Sequence, residues 1–190
     1  RQPGGGALRA ACSERPFRKP GPSHSSLFRI QFGIGYDEPM CGRYNLRTPA
    51  SELVEFFELH APPVWTPRYN IAPTQSVLAI RAHGDARMPA LFRWGLIPNW
   101  AQDPAIGSRM INARSETVSD KPSFRSAFRR RRCLVLADGF YEWQATGGAR
   151  KQPWHIERQD GRPFAFAGLW ESWDSGEGSA IESCTIITTT

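Results

Sequence analysis

The apolar residues of this chain fall in short runs that glycine, proline and charged residues interrupt, and this pattern restricts the folds it can adopt. Residues 76–98 read as two strands joined at His83-Gly84-Asp85, and residues 153–170 read as two strands joined at Asp160-Gly161. No apolar run reaches the roughly 18 residues of a membrane-spanning helix, so that class of protein is excluded. The sequence predicts a soluble domain rich in β-hairpins.

Two other segments have the residue spacing of short amphipathic helices. In residues 47–60, Thr48 is the predicted N-cap and Pro49 the predicted first helical residue. The apolar face of this helix comprises Leu53, Phe56, Phe57 and Leu59. In residues 121–133, the apolar face comprises Phe124, Ala127 and Phe128. Helices mixed among antiparallel hairpins predict an α+β fold and argue against a doubly wound sheet.

The composition changes near residue 40. Residues 1–39 are rich in Gly, Pro, Ser and Arg and lack periodicity, so we predict a disordered or non-native N-terminal extension. An organellar transit peptide is one alternative, but a translated upstream region that leads in frame to a start at Met40 is the simpler interpretation. Residues 40–190 are then a single domain, since a chain of this length with 40% hydrophobic residues can bury one core.

The charge of the chain permits a polyanionic partner without requiring one. The formal charge is +6, and six Lys or Arg against three acidic residues give the extension +3, which leaves +3 for the domain. The run Arg129–Arg132 ends the second predicted helix. It could follow phosphates, but cations also suit a solvated helix C-terminus, which is the interpretation that we favour.

The four cysteines are too far apart to suggest a shared site. Cys12, Cys41, Cys133 and Cys184 form no CxxC pair and have no nearby histidine, so we predict neither a disulfide framework nor a metal site. A reducing compartment fits this pattern. Cys133 and Cys184 occupy apolar, strand-like runs and are predicted to be core residues.

Three polar stretches are candidates for chemistry: "MCGRYN" at 40–45, "INARSET" at 111–117 and "ADGFYEW" at 137–143. Glu142 lies between two aromatic residues near the end of a predicted strand, where a raised carboxyl pKa would suit proton transfer; an outward-facing Glu is the alternative. "INARSET" could equally be a polar loop that bonds its own backbone. Trp94 and Trp100 flank a proline turn, either as core residues or as platforms for stacked bases.

Six ordered motifs give the chain a family resemblance: "MCGRYNLR", "PRYNIAPTQ", "FRWGLIPNWA", "INARSET", "RCLVLADGFYEW" and "FAFAGLWE". Over residues 40–190 the chain resembles the SOS-response-associated peptidases, or abasic-site processing proteins. The resemblance implies an α+β fold with a barrel-like, antiparallel or mixed sheet core and peripheral helices. It also implies covalent capture of abasic sites in single-stranded DNA by an N-terminal cysteine, exposed when the initiator methionine is removed.

The resemblance assigns roles to individual residues. Cys41 matches the nucleophile, and Asn112 and Glu142 match the active-site Asn and Glu. Arg43 and Arg114 match the arginines that contact DNA, to which we add Trp94 as a stacking residue. The family's catalytic histidine belongs to a His-x-Arg-x-Pro motif that does not occur here, so we expect a fragment that lacks its C-terminal segment.

Further expectations follow from this assignment. We predict a monomer without cofactor, metal or membrane, in the bacterial cytoplasm with the nucleoid or in a eukaryotic nucleus. Two other functions stay open. One is a cysteine peptidase, including self-processing, although no histidine stands in a motif beside Cys41. The other is a noncovalent single-stranded DNA-binding module, whose binding would weaken steeply with salt.

Overall fold

The strands and helices of this protein all lie after residue 42 in the part of the chain that the structure describes. The computed structural model describes residues 42–147, 150–176, 178 and 180–189. The predictions for residues 1–39, Met40 and Cys41 therefore lie outside the described residues. The strands are β1 (Arg43–Leu46), β2 (Arg68–Ile71), β3 (Ser76–His83), β4 (Ala86–Trp94), β5 (Asn112–Arg114), β6 (Arg132–Ala137), β7 (Gly139–Ala145), β8 (Lys151–Glu157), β9 (Phe164–Trp173) and β10 (Ile181–Thr188). The helices are α1 (Ala50–Phe57), α2 (Arg125–Arg130) and a 3-10 helix at Pro104–Arg109.

Five strands close into a barrel. They follow the order β4-β3-β6-β9-β10, and β10 pairs back with β4. Most neighbouring strands are antiparallel, but β10 runs parallel to β4 and to β5. The short strand β5 lies outside the closed barrel and extends the sheet beyond β10. The barrel is therefore mixed, and with its short outer helices it confirms the predicted α+β, barrel-like fold. No described helix has the length and apolar character needed to cross a membrane.

A second, four-stranded sheet has the order β2-β1-β7-β8. All three pairings in it are antiparallel, and β1 is set against β7 with Arg43 opposite Tyr141 and Tyr44 opposite Phe140. Tyr44 faces the common core, where its ring centroid lies 5.3 Å from that of Trp94 on β4. Through this contact the second sheet packs on the barrel.

One of the two predicted hairpins is confirmed and the other is wrong. β3 and β4 pair antiparallel, with His83 opposite Ala86 across a Gly84-Asp85 turn. The turn at Asp160-Gly161 also forms, but β8 pairs with β7 while β9 pairs with β6 and β10. The physical reason is burial: Gly168 and Leu169 of β9 are buried in the barrel, whereas β8 is an exposed edge strand.

The first helix begins one residue later than predicted. Pro49 is the N-cap residue of α1 and makes no side-chain capping bond. Thr48 instead donates its hydroxyl to Asp138 Oδ1 at 2.6 Å, and Asp138 also accepts the backbone N–H of Arg47 and Thr48. This buried carboxylate ties β1 and the start of α1 to the β6–β7 junction.

The predicted apolar faces are only partly buried. On the first helix Leu53 is fully buried, as is Leu59 just beyond it, while Phe56 is 42% exposed. In the second segment Phe124 and Ala127 are buried as predicted, but Phe128 points outward and α2 is only six residues long. Both helices cover the sheets through one or two anchoring side chains.

Cys133 and Cys184 are core residues, as predicted. Both are buried free thiols, on β6 and β10 respectively. Burial raises the pKa of Cys133 to about 12, and it raises that of Cys184 well above its ordinary value. Neither thiol is ionised near neutral pH, which makes both poor nucleophiles.

Candidate functional site

Arg43 and Glu142 lie on neighbouring strands of the four-stranded sheet. Arg43 begins β1 opposite Tyr141 of β7, and its Nη1 donates to Asn70 Oδ1 on β2 at 2.9 Å. Glu142 follows Tyr141 directly. The pairing runs from Asn45 opposite Gly139 to Arg43 opposite Tyr141, so β1 begins beside the residue that precedes Glu142.

Glu142 lies in the interior of β7. The sequence instead predicts a position near the end of the preceding strand. That strand, β6, ends at Ala137, and β7 starts afresh at Gly139. Phe140 packs against the core cluster, with its ring 5.9 Å from that of Phe166. Side chains two residues apart share a face, so Glu142 lies on the core-facing side of the sheet.

The environment of Glu142 favours its protonated form. Its side chain is half-buried and is opposite Trp154 of β8. Burial raises the pKa of this carboxyl above its ordinary value, because removing water penalises the charged form. The raised pKa that the aromatic setting predicted is therefore confirmed in direction.

Asn112 and Arg114 share one short strand of the barrel sheet. They form the two ends of β5, opposite Ile186 and Thr188 of the parallel neighbour β10. The side chains of Asn112 and Arg114 share one face, and Ala113 between them is buried on the other. The polar-loop alternative is thus wrong for these residues; from Ser115 onward the chain turns, and the N–H of Thr117 donates to the carbonyl of Arg114.

Trp94 holds the start of β5 in place. Its indole Nε1 donates to the carbonyl oxygen of Ile111 at 2.9 Å, and the same oxygen accepts the N–H of Ile186 at 3.0 Å. Trp94 also contacts the ring of Tyr44, the neighbour of Arg43. This one side chain therefore joins the strand of Arg43 to the strand of Asn112.

Trp94 is a core residue and not a base-stacking platform. Its exposed fraction is 0%, whereas that of Trp100 is 57%. A side chain without exposed surface has no face on which a base could stack, so the assignment of Trp94 to DNA contact does not fit the structure. No local pattern signals its positioning role, because Ile111 lies 17 residues further along the chain and only folding brings it to Trp94.

His155 lies close to the site but on the other side of the sheet. It is opposite Tyr141, and their ring centroids are 5.0 Å apart. Its Nε2 lies 3.0 Å from Asn45 Nδ2. Since Tyr141 and Glu142 point to opposite faces of β7, His155 is separated from Glu142 by the sheet, and nothing here makes it a substitute for the expected catalytic histidine.

The candidate site thus consists of two halves. Arg43 and Glu142 lie on the paired strands β1 and β7, while Asn112 and Arg114 lie on β5. Because Arg43 is opposite Tyr141, it shares the face of Tyr141 and His155 and lies across the sheet from Glu142. The contacts of Trp94 with Tyr44 and with Ile111 connect the halves. Cys41 lies outside the described residues, two positions before Arg43 in the sequence.

Comparison with known proteins gives a consistent result. Residues 40–190 match the family model of the SOS response associated peptidase (SRAP). The chain is 44% identical over 153 residues to the abasic site processing protein YoqW of Bacillus subtilis, which covers 79% of this chain and 68% of that protein. It is 33% identical over 154 residues to the abasic site processing protein HMCES of Xenopus tropicalis, covering 65% of this chain and 46% of that protein. A crystal structure of a protein from Bacteroides thetaiotaomicron is similar with a TM-score of 0.71 at 26% identity, covering 78% of this chain and 68% of that one.

Proposed function

Because the chain belongs to the SOS response associated peptidase (SRAP) family, we propose that it recognises abasic sites in single-stranded DNA and captures them covalently through Cys41. Its relatives in Bacillus subtilis and Xenopus tropicalis are named abasic site processing proteins. The observation that carries the proposal is the pairing of β1 with β7. It sets Arg43, which is two positions after Cys41 in the sequence, opposite Tyr141, the neighbour of the half-buried Glu142.

The proposed reaction needs a cysteine at the chain terminus. An abasic site opens to an aldehyde, and an α-amine with a pKa of about 8 is partly neutral near pH 7, unlike a lysine at about 10.4. The amine adds to the aldehyde and expels water to form an imine. The thiol of the same residue then adds to the imine carbon while the nitrogen takes up a proton, which closes a five-membered thiazolidine. The C–S bond leaves a stable DNA-protein crosslink.

The described residues supply the remaining roles in this proposal. Glu142 gives a proton to the sugar oxygen and to the departing water, a task that a carboxyl with a raised pKa performs near neutral pH. Asn112 orients the amine and the sugar. Arg43 and Arg114 neutralise phosphates on either side of the lesion, and stacking on the exposed ring of Trp100 holds a neighbouring base without reading sequence.

The decisive test varies only what precedes Cys41. A chain that starts at Met40, from which the methionine is removed on expression, is compared with the 190-residue chain beginning at Arg1. Each is mixed with single-stranded DNA carrying one abasic site and analysed by denaturing gel and intact mass. We expect a heat-stable adduct from the first chain, because its Cys41 has a free amine. If the 190-residue chain forms an adduct whose mass includes residues 1–40, the proposal is contradicted. If its adduct has lost residues 1–40, the protein removes these residues itself.

Replacing Glu142 with glutamine is expected to slow adduct formation by about 100-fold or more, because an amide cannot donate the proton. The folded protein should not lose stability. Burial disfavours the ionised form of Glu142, so ionising this carboxyl lowers the stability of the folded protein. The loss of stability is absent at low pH and grows as pH rises from the ordinary pKa of a glutamate to the raised pKa of Glu142. Glu142→Gln should therefore match the parent in thermal unfolding near pH 4 and equal or exceed it near pH 7.

Glu157→Gln is the matched control for this experiment. Glu157 lies on the neighbouring strand β8, opposite Gly139, so it shares the face of Tyr141 and not that of Glu142. Its substitution should leave the single-turnover rate of adduct formation unchanged. Equal rates for the parent and Glu142→Gln across pH 5–8 would remove Glu142 from the mechanism.

A further inference from the structure

The positive charge of this chain is concentrated in one segment. Residues 121–137 contain Lys121 and five arginines but no Asp or Glu, which gives the segment a formal charge of +6. Six of the 24 Lys and Arg residues lie there, and the 18 that remain are balanced by 18 acidic residues elsewhere. Since residues 40–190 have a formal charge of +3, the rest of this domain outside residues 121–137 carries −3, and the basic segment stands out against it.

Four of these arginines form an exposed basic surface, comprising Arg125, Arg129, Arg130 and Arg132. Within the described part of the chain, none of the four guanidinium groups pairs with a carboxylate. Arg131 differs from them, because it is half-buried and pairs with the buried Glu171. The fold thus uses one of the five arginines of residues 121–137 for internal structure and leaves four directed to solvent.

Helix stability does not account for this arrangement. Cations near a helix C-terminus are favoured, which explains Arg129 and Arg130, but Arg125 is the first residue of α2, where a cation is disfavoured. Arg125 and Arg129 are also four residues apart, a spacing at which like charges destabilise a helix by about 0.2–0.5 kcal/mol. The solvated-helix-end interpretation, made for Arg129–Arg132, therefore fits Arg129 and Arg130 in the last turn of α2 but does not extend to Arg125.

The basic surface is attached to the strand that carries half of the candidate site. Phe124 and Ala127 pack in one buried cluster with Ala113, which lies between Asn112 and Arg114 on β5. On α2 itself, Ala127 is buried while Arg125, Arg129 and Arg130 are exposed, and Arg132 follows at the start of β6. Since a helix with its side chains is about 10–12 Å across, the basic surface begins within a few nucleotides' length of β5.

We propose that this basic surface binds the phosphate backbone of the single-stranded DNA that continues beyond the abasic site. The inference rests on the proposed function and extends it, since the lesion itself would occupy the site formed by Glu142, Asn112 and their neighbours. Guanidinium groups without internal partners suit phosphates, and a row of them follows a strand without reading bases. The surface would hold the protein on exposed single strands before the covalent step.

The test measures binding to undamaged oligothymidylate, so that it does not depend on crosslinking. The 190-residue chain and its Arg125→Gln/Arg129→Gln variant are compared on strands of about 5 and about 20 nucleotides, lengths near the ends of the range of single-strand sites. Affinity for DNA decreases as salt rises, and each lost phosphate contact makes the plot of log affinity against log salt less steep by about 0.7. On the long strand the variant's plot should therefore be less steep than the parent's by about 1.4. The slope on the short strand should fall by less, because a strand of this length occupies either the candidate site or the basic surface and not both.

The matched control is Arg158→Gln/Arg162→Gln, which removes two positive charges from the β8–β9 loop. It should keep the parent's slope on both strands. An unchanged slope for the Arg125/Arg129 variant, an equal fall in the control, or an equal loss on the short strand would overturn the proposal. A second assay uses chains that start at Met40 and a saturating short strand with one abasic site. The parent and the Arg125→Gln/Arg129→Gln variant should form the adduct equally. If neither forms it, the crosslinking proposal fails while the binding result stands.

Discussion

Replacing Cys41 with alanine in a chain that starts at Met40 is expected to abolish the heat-stable adduct with abasic DNA. Alanine keeps the α-amine but lacks the thiol, so the reaction should stop at an imine that hydrolyses during denaturation. Adding borohydride before denaturation should trap this imine as a secondary amine. The measurements are a denaturing gel with and without borohydride and the intact mass of each product.

Cys41→Ser separates the two steps in the same assay. Its hydroxyl can add to the imine as the thiol does, but oxygen is the weaker nucleophile, so any adduct should be slower to form and easier to reverse. Cys133→Ala is the control, because that buried thiol has a pKa of about 12 and should play no part. A heat-stable adduct from Cys41→Ala at the parent's rate would refute the crosslinking mechanism.

Truncating Trp94 to alanine is expected to lower the free energy of unfolding by about 3–5 kcal/mol. The side chain is fully buried between Tyr44 and the core, and its removal leaves a cavity where the second sheet meets the barrel. Denaturant unfolding followed by far-UV circular dichroism gives this value. A loss below about 1 kcal/mol would mean that the two sheets are held together by other contacts.

Trp94→Phe isolates the positioning role from packing. It keeps most of the ring but removes the N–H bond to the Ile111 carbonyl, which remains bonded to Ile186, so the stability loss should be small. If Trp94 orients Asn112, adduct formation at saturating DNA should slow while DNA affinity is unchanged. Phe92→Leu is the control, since this buried ring stacks on Trp170 and has no N–H to donate to Ile111, and it should lower stability without changing the rate.

Local patterns predicted the parts of the fold that depend on local contacts. The β3–β4 hairpin follows from Gly84-Asp85 between two apolar runs, and the burial of Phe124 and Ala127 follows from helical spacing. The same reasoning failed at Asp160-Gly161, where the turn forms but the flanking strands enter different sheets. A turn fixes the direction of the chain only locally; which edge a strand pairs with depends on the burial of its two faces by distant residues.

The sequence by itself determined the family, the α+β class and the residues proposed for chemistry, because ordered motifs over residues 40–190 name those residues directly. Only the tertiary structure decided what Trp94 does, since its indole bonds to Ile111 and packs on Tyr44, both distant in the sequence. Likewise, the five arginines of residues 121–137 can be read in the sequence, but only folding shows that Arg131 turns inward to Glu171 and the other four stay exposed. Burial and pairing across strands are properties of the packed chain, and no local pattern of residues specifies them.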